Sequence, residues 1–126
     1  MFHNECVAAF VSPKWWVNNP EHVIIIPNRH YENLYEIPDE LLSRVYIAAK
    51  QPAIAMRDSY PGRTGTSTRQ HNEPDGNQDV WHFHTHLFPR FANDQLSIHQ
   101  NDKRFVPPVD RKVYADMLMK QLQTIL

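Results

Sequence analysis

Val80-Trp-His-Phe-His-Thr-His-Leu-Phe-Pro-Arg90 is the stretch that decides how the chain is read. His82, His84 and His86 occupy alternate positions, with Trp81, Phe83, Thr85 and Leu87 between them. Side chains of a β-strand alternate between its two faces, so the spacing predicts a strand over 80–88. The aromatic and apolar residues pack on a core and the imidazoles line a cleft. Eight histidines in 126 residues is the unusual feature of the composition. A chance run of surface histidines does not account for their regular exchange with large apolar residues.

Working outward, His71 to Gln78 carries Asn, Pro, Asp and Gly and reads as a loop. Thr64 to Gln70, rich in threonine, reads as a strand that follows the turn signal Tyr60-Pro61-Gly62. Cys6 to Val11 and His22-Val-Ile-Ile-Ile-Pro27 are apolar runs expected to pair as strands. The loop between them holds Trp15 and Trp16, which either cover a core edge or line a base pocket. Pro38 to Asp58 has helical apolar spacing, with Asp39 and Glu40 suited to its first turn and Pro52 predicting a kink or break. Residues 92–104 read as a mobile polar stretch. Asp110 to Ile125 repeats Val113, Met117, Leu118, Leu122 and Ile125 at helical spacing, with Asp110 as a candidate cap.

The length suits one domain spanning 1–126, with a core over 6–91 and the polar stretch and C-terminal helix over 92–126. Hydrophobic residues at 41% and charged residues at 21% describe an ordinary globular chain. No apolar run reaches the roughly 20 residues that cross a bilayer, and the first residues lack the layout of a secretion signal, so no membrane partner and a cytoplasmic location are expected. One cysteine, Cys6, excludes an internal disulfide and reads as a small buried apolar residue. A net charge of -1 argues against nucleic acid as a partner.

Two chemistries compete for the histidine run. A metal ion shared by the three would have to draw together His82 and His86, about 13 Å apart at Cα on an extended strand, and only Asp79 or His22 is at hand to complete the set. A neutral imidazole is otherwise a competent nucleophile near neutral pH without any metal.

His82-Phe-His84-Thr-His86-Leu-Phe resembles the His-φ-His-φ-His-φ-φ signature of the histidine triad superfamily, φ being apolar; Thr85 departs from it. Pro20 to His30 is similar to the family's upstream strand, and Asn72 to Trp81 to the loop that precedes the triad. The resemblance covers about Cys6 to Phe91 and implies an α+β fold, an antiparallel sheet of about five strands with one main helix and a C-terminal helix. It implies hydrolysis or transfer at the α-phosphate of a nucleoside phosphoramidate or dinucleoside polyphosphate, with no cofactor and no metal, by a homodimer.

By the same resemblance His84 is the nucleophile and forms a covalent nucleotidyl-histidine, with a carbonyl holding its other ring nitrogen. His86 contacts the phosphate, and His82 and His22 support the site. Asn72 and Gln78 match substrate-binding positions, and amides of the Gly76 to Asp79 loop are expected to face the phosphate. Asp79 stands where many relatives have serine or threonine, and is expected to meet a cationic leaving group or Arg90. Ser12 stands where relatives place Asn or Asp against the ribose, and Arg90 is a candidate for distal phosphates. Two further readings stay open: a nucleotide-binding signalling module with weak catalysis, and a histidine-based metal-binding protein.

Overall fold

The computed structural model describes residues 2–16, 18–97 and 103–125. Five strands form one antiparallel sheet: β1 (Phe2–His3), β2 (Val7–Val11), β4 (Val23–Pro27), β6 (Thr85–Arg90) and β5 (Gly65–Arg69), in that order across the sheet. β3 (Lys14–Trp16) and β7 (Lys103–Phe105) form a separate two-stranded ribbon, and the helices are α1 (Asp39–Ser59) and α2 (Pro108–Ile125). This is the α+β fold that the sequence predicts.

Period 2 organises the sheet. Odd-numbered Val7, Ala9, Val11, Val23, Ile25 and Leu87 are buried in one cluster with Val45, Ala49, Ala55 and Met56 of α1 and Leu118 of α2. Even-numbered Phe10, Ile24, Ile26 and His86 line a cavity on the opposite face. A smaller cluster of Trp16, Phe88 and Leu96 lies on this second face, where Trp16 and Phe88 ring centroids are 4.9 Å apart. Trp15 joins the main core, whereas Trp16 packs in the smaller cluster and also lines the cavity.

The histidine strand begins later than expected, at Thr85 rather than Val80. Pro27 supplies the reason. The amide of Asn28 points to β2, donating to Cys6 O at 2.9 Å, so the alternate position 27 faces β6. Continued two residues beyond Ile25 and Thr85, the register would bring Pro27 opposite Phe83, where proline has no N–H to continue the ladder. The chain therefore leaves the sheet, and Phe83 donates instead to Tyr31 O at 2.6 Å.

Other departures are local. α1 runs through Pro52 without a break, with Pro52 buried. α2 begins at Pro108, so Asp110 lies in its first turn rather than capping it. Leu118 is fully buried, whereas Val113, expected on the apolar face, is 60% exposed. Cys6 is only partly buried, packed against the core.

The segment after β6, expected to be mobile and polar, is tied down by Asp94; residues 98–102 of that expectation lie outside the described set. Arg90 reaches Asp94 with two nitrogens at 2.8 and 2.9 Å, Asn19 Nδ2 donates to it at 2.7 Å, and the Phe91 amide donates at 3.0 Å. These donors hold the Asp94 carboxyl well below the usual carboxylate range, Arg90 first among them. We predict that Asp94→Ala, which strands several buried donors, lowers the unfolding free energy in urea by about 3 kcal/mol, and Asp94→Asn by less. Since the folded carboxyl titrates below the unfolded one, the penalty is full at neutral pH and shrinks once pH falls beneath about 4.

Candidate active site

The cavity has a volume of about 290 Å³ and a mixed lining. Phe10, Ile24 and Ile26 are among its apolar members, and Ser12, His22, Asp79, His82, His84, His86 and Lys103 are its polar ones, with His86 paired beside Ile24 across the sheet. The apolar members suit a planar aromatic group and the polar ones an anion.

Of the three alternate histidines only His86 lies on β6; the other two precede it and reach the cavity by a different route. His82 Nε2–H donates to the carbonyl of Pro27 at 3.0 Å. Its Nδ1 is then the acceptor for Nδ1–H of His30, 3.3 Å away. The carbonyl of His82 in turn accepts from His84 Nδ1 at 2.8 Å. With its proton fixed on Nδ1, His84 keeps the lone pair of Nε2 for the cavity. The ring of His86 lies 4.8 Å from that of His84, edge to face.

His22 sits directly behind this pair, 5.3 Å from His86 and stacked on Phe88 at 4.6 Å. It is fully buried, and neither of its ring nitrogens has a partner within the protein; Nδ1 of His86 is in the same position. Burial is the main cause that pushes His22 down to about 3 and His86 down to about 2, with neighbouring positive groups adding to it. Both rings are therefore neutral across the physiological range.

The loop before the triad serves as scaffold. Gln78 accepts from the Glu73 amide at 2.8 Å and donates to the carbonyls of Glu32 at 2.6 Å and Val80 at 3.1 Å. Asn72 accepts from the Leu34 amide at 2.8 Å and exchanges hydrogen bonds with Gln70. Neither lines the cavity. The amides of Gly76, Asn77 and Gln78 are also consumed, donating to Glu73 and Pro74 carbonyls in a short 3-10 turn. Asn77 takes the left-handed conformation at its end (φ 67°), which asparagine tolerates better than most residues. Three of the four loop amides expected to face a phosphate are thus already paired within the turn.

Arg90 also lies outside the cavity, committed to Asp94 and to Ser67 Oγ at 2.9 Å. Asp79 pairs with Lys103 Nζ at 3.2 Å and not with Arg90. Ser12 lines the cavity with its hydroxyl already bonded to the backbone of Lys14, accepting from N at 3.2 Å and donating to O at 3.1 Å.

Sequence reasoning missed Lys103, which sits in a stretch read as polar loop, and His71, whose Nδ1–H donates to Gly76 O at 2.9 Å while its ring lies 6.1 Å from His86. The only sequence signal for Lys103 was its place in the short run Lys103-Arg-Phe105, too brief to be recognised as a strand.

The depressed His22 fixes a pH dependence. Unfolded, the ring binds a proton below about 6.5; folded, it does not until about 3, so its burial opposes folding increasingly as pH falls through that window. We predict that the unfolding free energy of His22→Leu falls less steeply than that of the unaltered chain between pH 6.5 and 4, measured by urea denaturation; parallel curves would contradict the assignment.

A HIT domain model matches residues 2–93. The protein hit of Bacillus subtilis is 37% identical over 71 residues, 56% of this chain and 48% of that protein. Adenosine 5'-monophosphoramidase HNT1 of Saccharomyces cerevisiae is 39% identical over 70 residues, 55% of this chain and 40% of that one. The matched part thus spans about half or less of each of these relatives. Among solved structures, a hypothetical histidine triad nucleotide-binding protein from Sulfolobus tokodaii superposes with a TM-score of 0.82 at 17% identity, over 98% of this chain and 83% of that one. The match to the domain model extends over well over half of the chain, includes all three alternate histidines, and is accompanied by the same fold: the chain belongs to the histidine triad (HIT) family.

Proposed function

We propose that this protein is a nucleotide hydrolase or transferase that attacks the α-phosphate of a nucleotide with Nε2 of His84. The observation that carries the reading is the hydrogen bond from His84 Nδ1 to the carbonyl of His82, which leaves a nucleophilic nitrogen in a cavity with a mixed lining. The yeast relative's name, adenosine 5'-monophosphoramidase, supports the same reaction class.

The base rests on Phe10, Ile24 and Ile26, and the α-phosphate lies at the histidines. His84 Nε2 forms a bond to phosphorus as the bond to the leaving group breaks, and the leaving group departs with that electron pair. Water then attacks the nucleotidyl-histidine: its oxygen bonds to phosphorus, the P–N bond breaks, and its proton is taken up within the site. His86, neutral and beside His84, is placed to hydrogen-bond a phosphate oxygen. His22 buttresses His86, and His82 acts through its carbonyl and ring as a positioning residue. Asn72 and Gln78 contribute by shaping the loop. Ser12 contributes one hydroxyl at the edge of the site, and Arg90 keeps Asp94 and β6 in place. No step in this scheme asks for a cofactor or metal.

The same reading covers residues 1–126 as one domain, acting in the cytoplasm as a homodimer. The outer edge of β5 has no neighbouring strand among the described residues, and α1 exposes Ile47 at 67%; both suit a second copy. Light scattering that gives the mass of one chain would remove the dimer from the proposal.

Intact-protein mass spectrometry after a rapid, acid-free quench with adenosine 5'-phosphoramidate or diadenosine polyphosphate tests the chemistry. The unaltered chain is expected to gain the mass of a nucleotidyl group. His84→Ala and His84→Gly are expected to lose both the adduct and turnover, by about a thousandfold or more. Good nucleotide binding without adduct or turnover would favour the binding module over the enzyme.

A further inference from the structure

The ribbon of β3 and β7 brings a charge to the cavity that the three histidines do not supply. In its register Trp16 stands opposite Lys103 and Lys14 opposite Phe105. Residues two apart on a strand share a face, so Lys14, Trp16 and Lys103 are presented together, and all three line the cavity. Nζ of Lys103 lies 5.1 Å from the centroid of the Trp16 ring, a cation–π contact that restrains a long side chain.

The partner of Lys103 is Asp79, 3.2 Å away, and the two members of the pair are unequally placed. The Lys103 side chain is 28% exposed and that of Asp79 55% exposed, so the lysine is the more covered member of the pair and the aspartate the more exposed. The charge of Lys103 is felt at His22 and at His86, the two innermost imidazoles. A phosphate held at His84 and His86 therefore meets Lys103 from inside the site, whereas Asp79 can swing out to water at little cost.

We propose that Lys103 is the leaving-group determinant of this site: its ammonium binds the phosphate next to the α-phosphate, and Asp79 is the internal counter-ion that this phosphate displaces. The inference rests on the nucleotidyl-histidine reading above. It commits the site to anionic, polyphosphate leaving groups. An incoming phosphate replaces one anion at Lys103 with another, so the ammonium never loses its partner. An uncharged amine cannot make that exchange, and it leaves Asp79 in place against the negative α-phosphate. In the transfer itself His84 Nε2 bonds to the α-phosphorus while the bridging P–O bond breaks. Its electron pair departs on the terminal oxygen of the leaving nucleotide, and Lys103 offsets that charge as it develops. A terminal phosphate oxygen is largely ionised near neutral pH, so the departing group requires no proton, as an amine would.

The test is the ratio of kcat/KM for diadenosine tetraphosphate to that for adenosine 5'-phosphoramidate, at fixed ionic strength. Lys103→Met is expected to lower the ratio by about tenfold or more, the scale of one lost charge-assisted hydrogen bond, with Lys103→Arg restoring most of it. Asp79→Asn, which removes the competing anion, is expected to raise the ratio. A ratio unmoved by Lys103→Met and by Asp79→Asn, or moved in the opposite sense, overturns the proposal. Should Lys103→Met fail to fold, the Asp79→Asn ratio decides alone: a rise supports the proposal and no change overturns it. Failure of the underlying chemistry looks different, because the unaltered chain would then turn over neither substrate and gain no nucleotidyl mass.

Discussion

The missing N–H of Pro27 is the constraint from which the rest of the site follows. Had another residue stood there, the β4–β6 ladder could have continued past Thr85 and carried the preceding histidines along a regular strand. Proline stops it, and its carbonyl is left without a backbone donor from that side. His82 Nε2 takes that carbonyl, and the carbonyl of His82 in turn receives His84 Nδ1. A backbone defect is converted into a relay of two hydrogen bonds that sets the tautomer of His84. The amide of Phe83 is recovered by Tyr31 O, so leaving the ladder does not strand a buried donor.

Desolvation does the rest. His22 and His86 are held neutral by burial, and the positive groups around them add to that effect. A protonated imidazole behind His84 would place a charge in a region lined by Phe88 and Ile24, without a carboxylate to balance it. Asp79 does not fill that role, since it is engaged by Lys103. The cationic charge at the cavity is thus supplied from outside the sheet, on the ribbon. The imidazoles remain free to act as neutral donors and acceptors. The charge on the ribbon and the hydrogen bond that holds His84 Nδ1 thus come from different elements of the fold.

The sheet was legible in the sequence because its signal is local. Val7 to Val11 and Val23 to Pro27 carry their two faces in period 2, and one register error would have exposed the whole apolar set. Of the cavity histidines only His86 follows that period on a strand; His82 and His84 reach the cavity from the segment before it. The strand start was not legible, because Pro27 acts from the neighbouring strand, fifty-odd positions away in sequence, and no periodicity over 80–88 records it. Gln78 and Asn72 show a different limit. Their side chains offer donors and acceptors suited equally to a substrate and to a backbone, and only the folded loop shows which they meet. Asp94 and Leu96 were hidden in a stretch whose composition is polar, since a single buried carboxylate with several donors leaves no pattern along the chain.

Asp94 also links the second face of the sheet to the site. Asn19, which precedes β4, and Arg90, which ends β6, meet on its carboxylate, and Leu96 just beyond it completes the cluster with Trp16 and Phe88. Phe88 is the residue on which His22 stacks, and Trp16 is the one that restrains Lys103. The ion pair therefore supports both the neutral imidazoles and the cation through one small apolar cluster, without touching the cavity itself. Such an arrangement explains why the polar groups closest to the chemistry are so sparsely bonded. The positions of His22 and His86 are set from behind, by packing, and not by hydrogen bonds to the buried nitrogens of their rings.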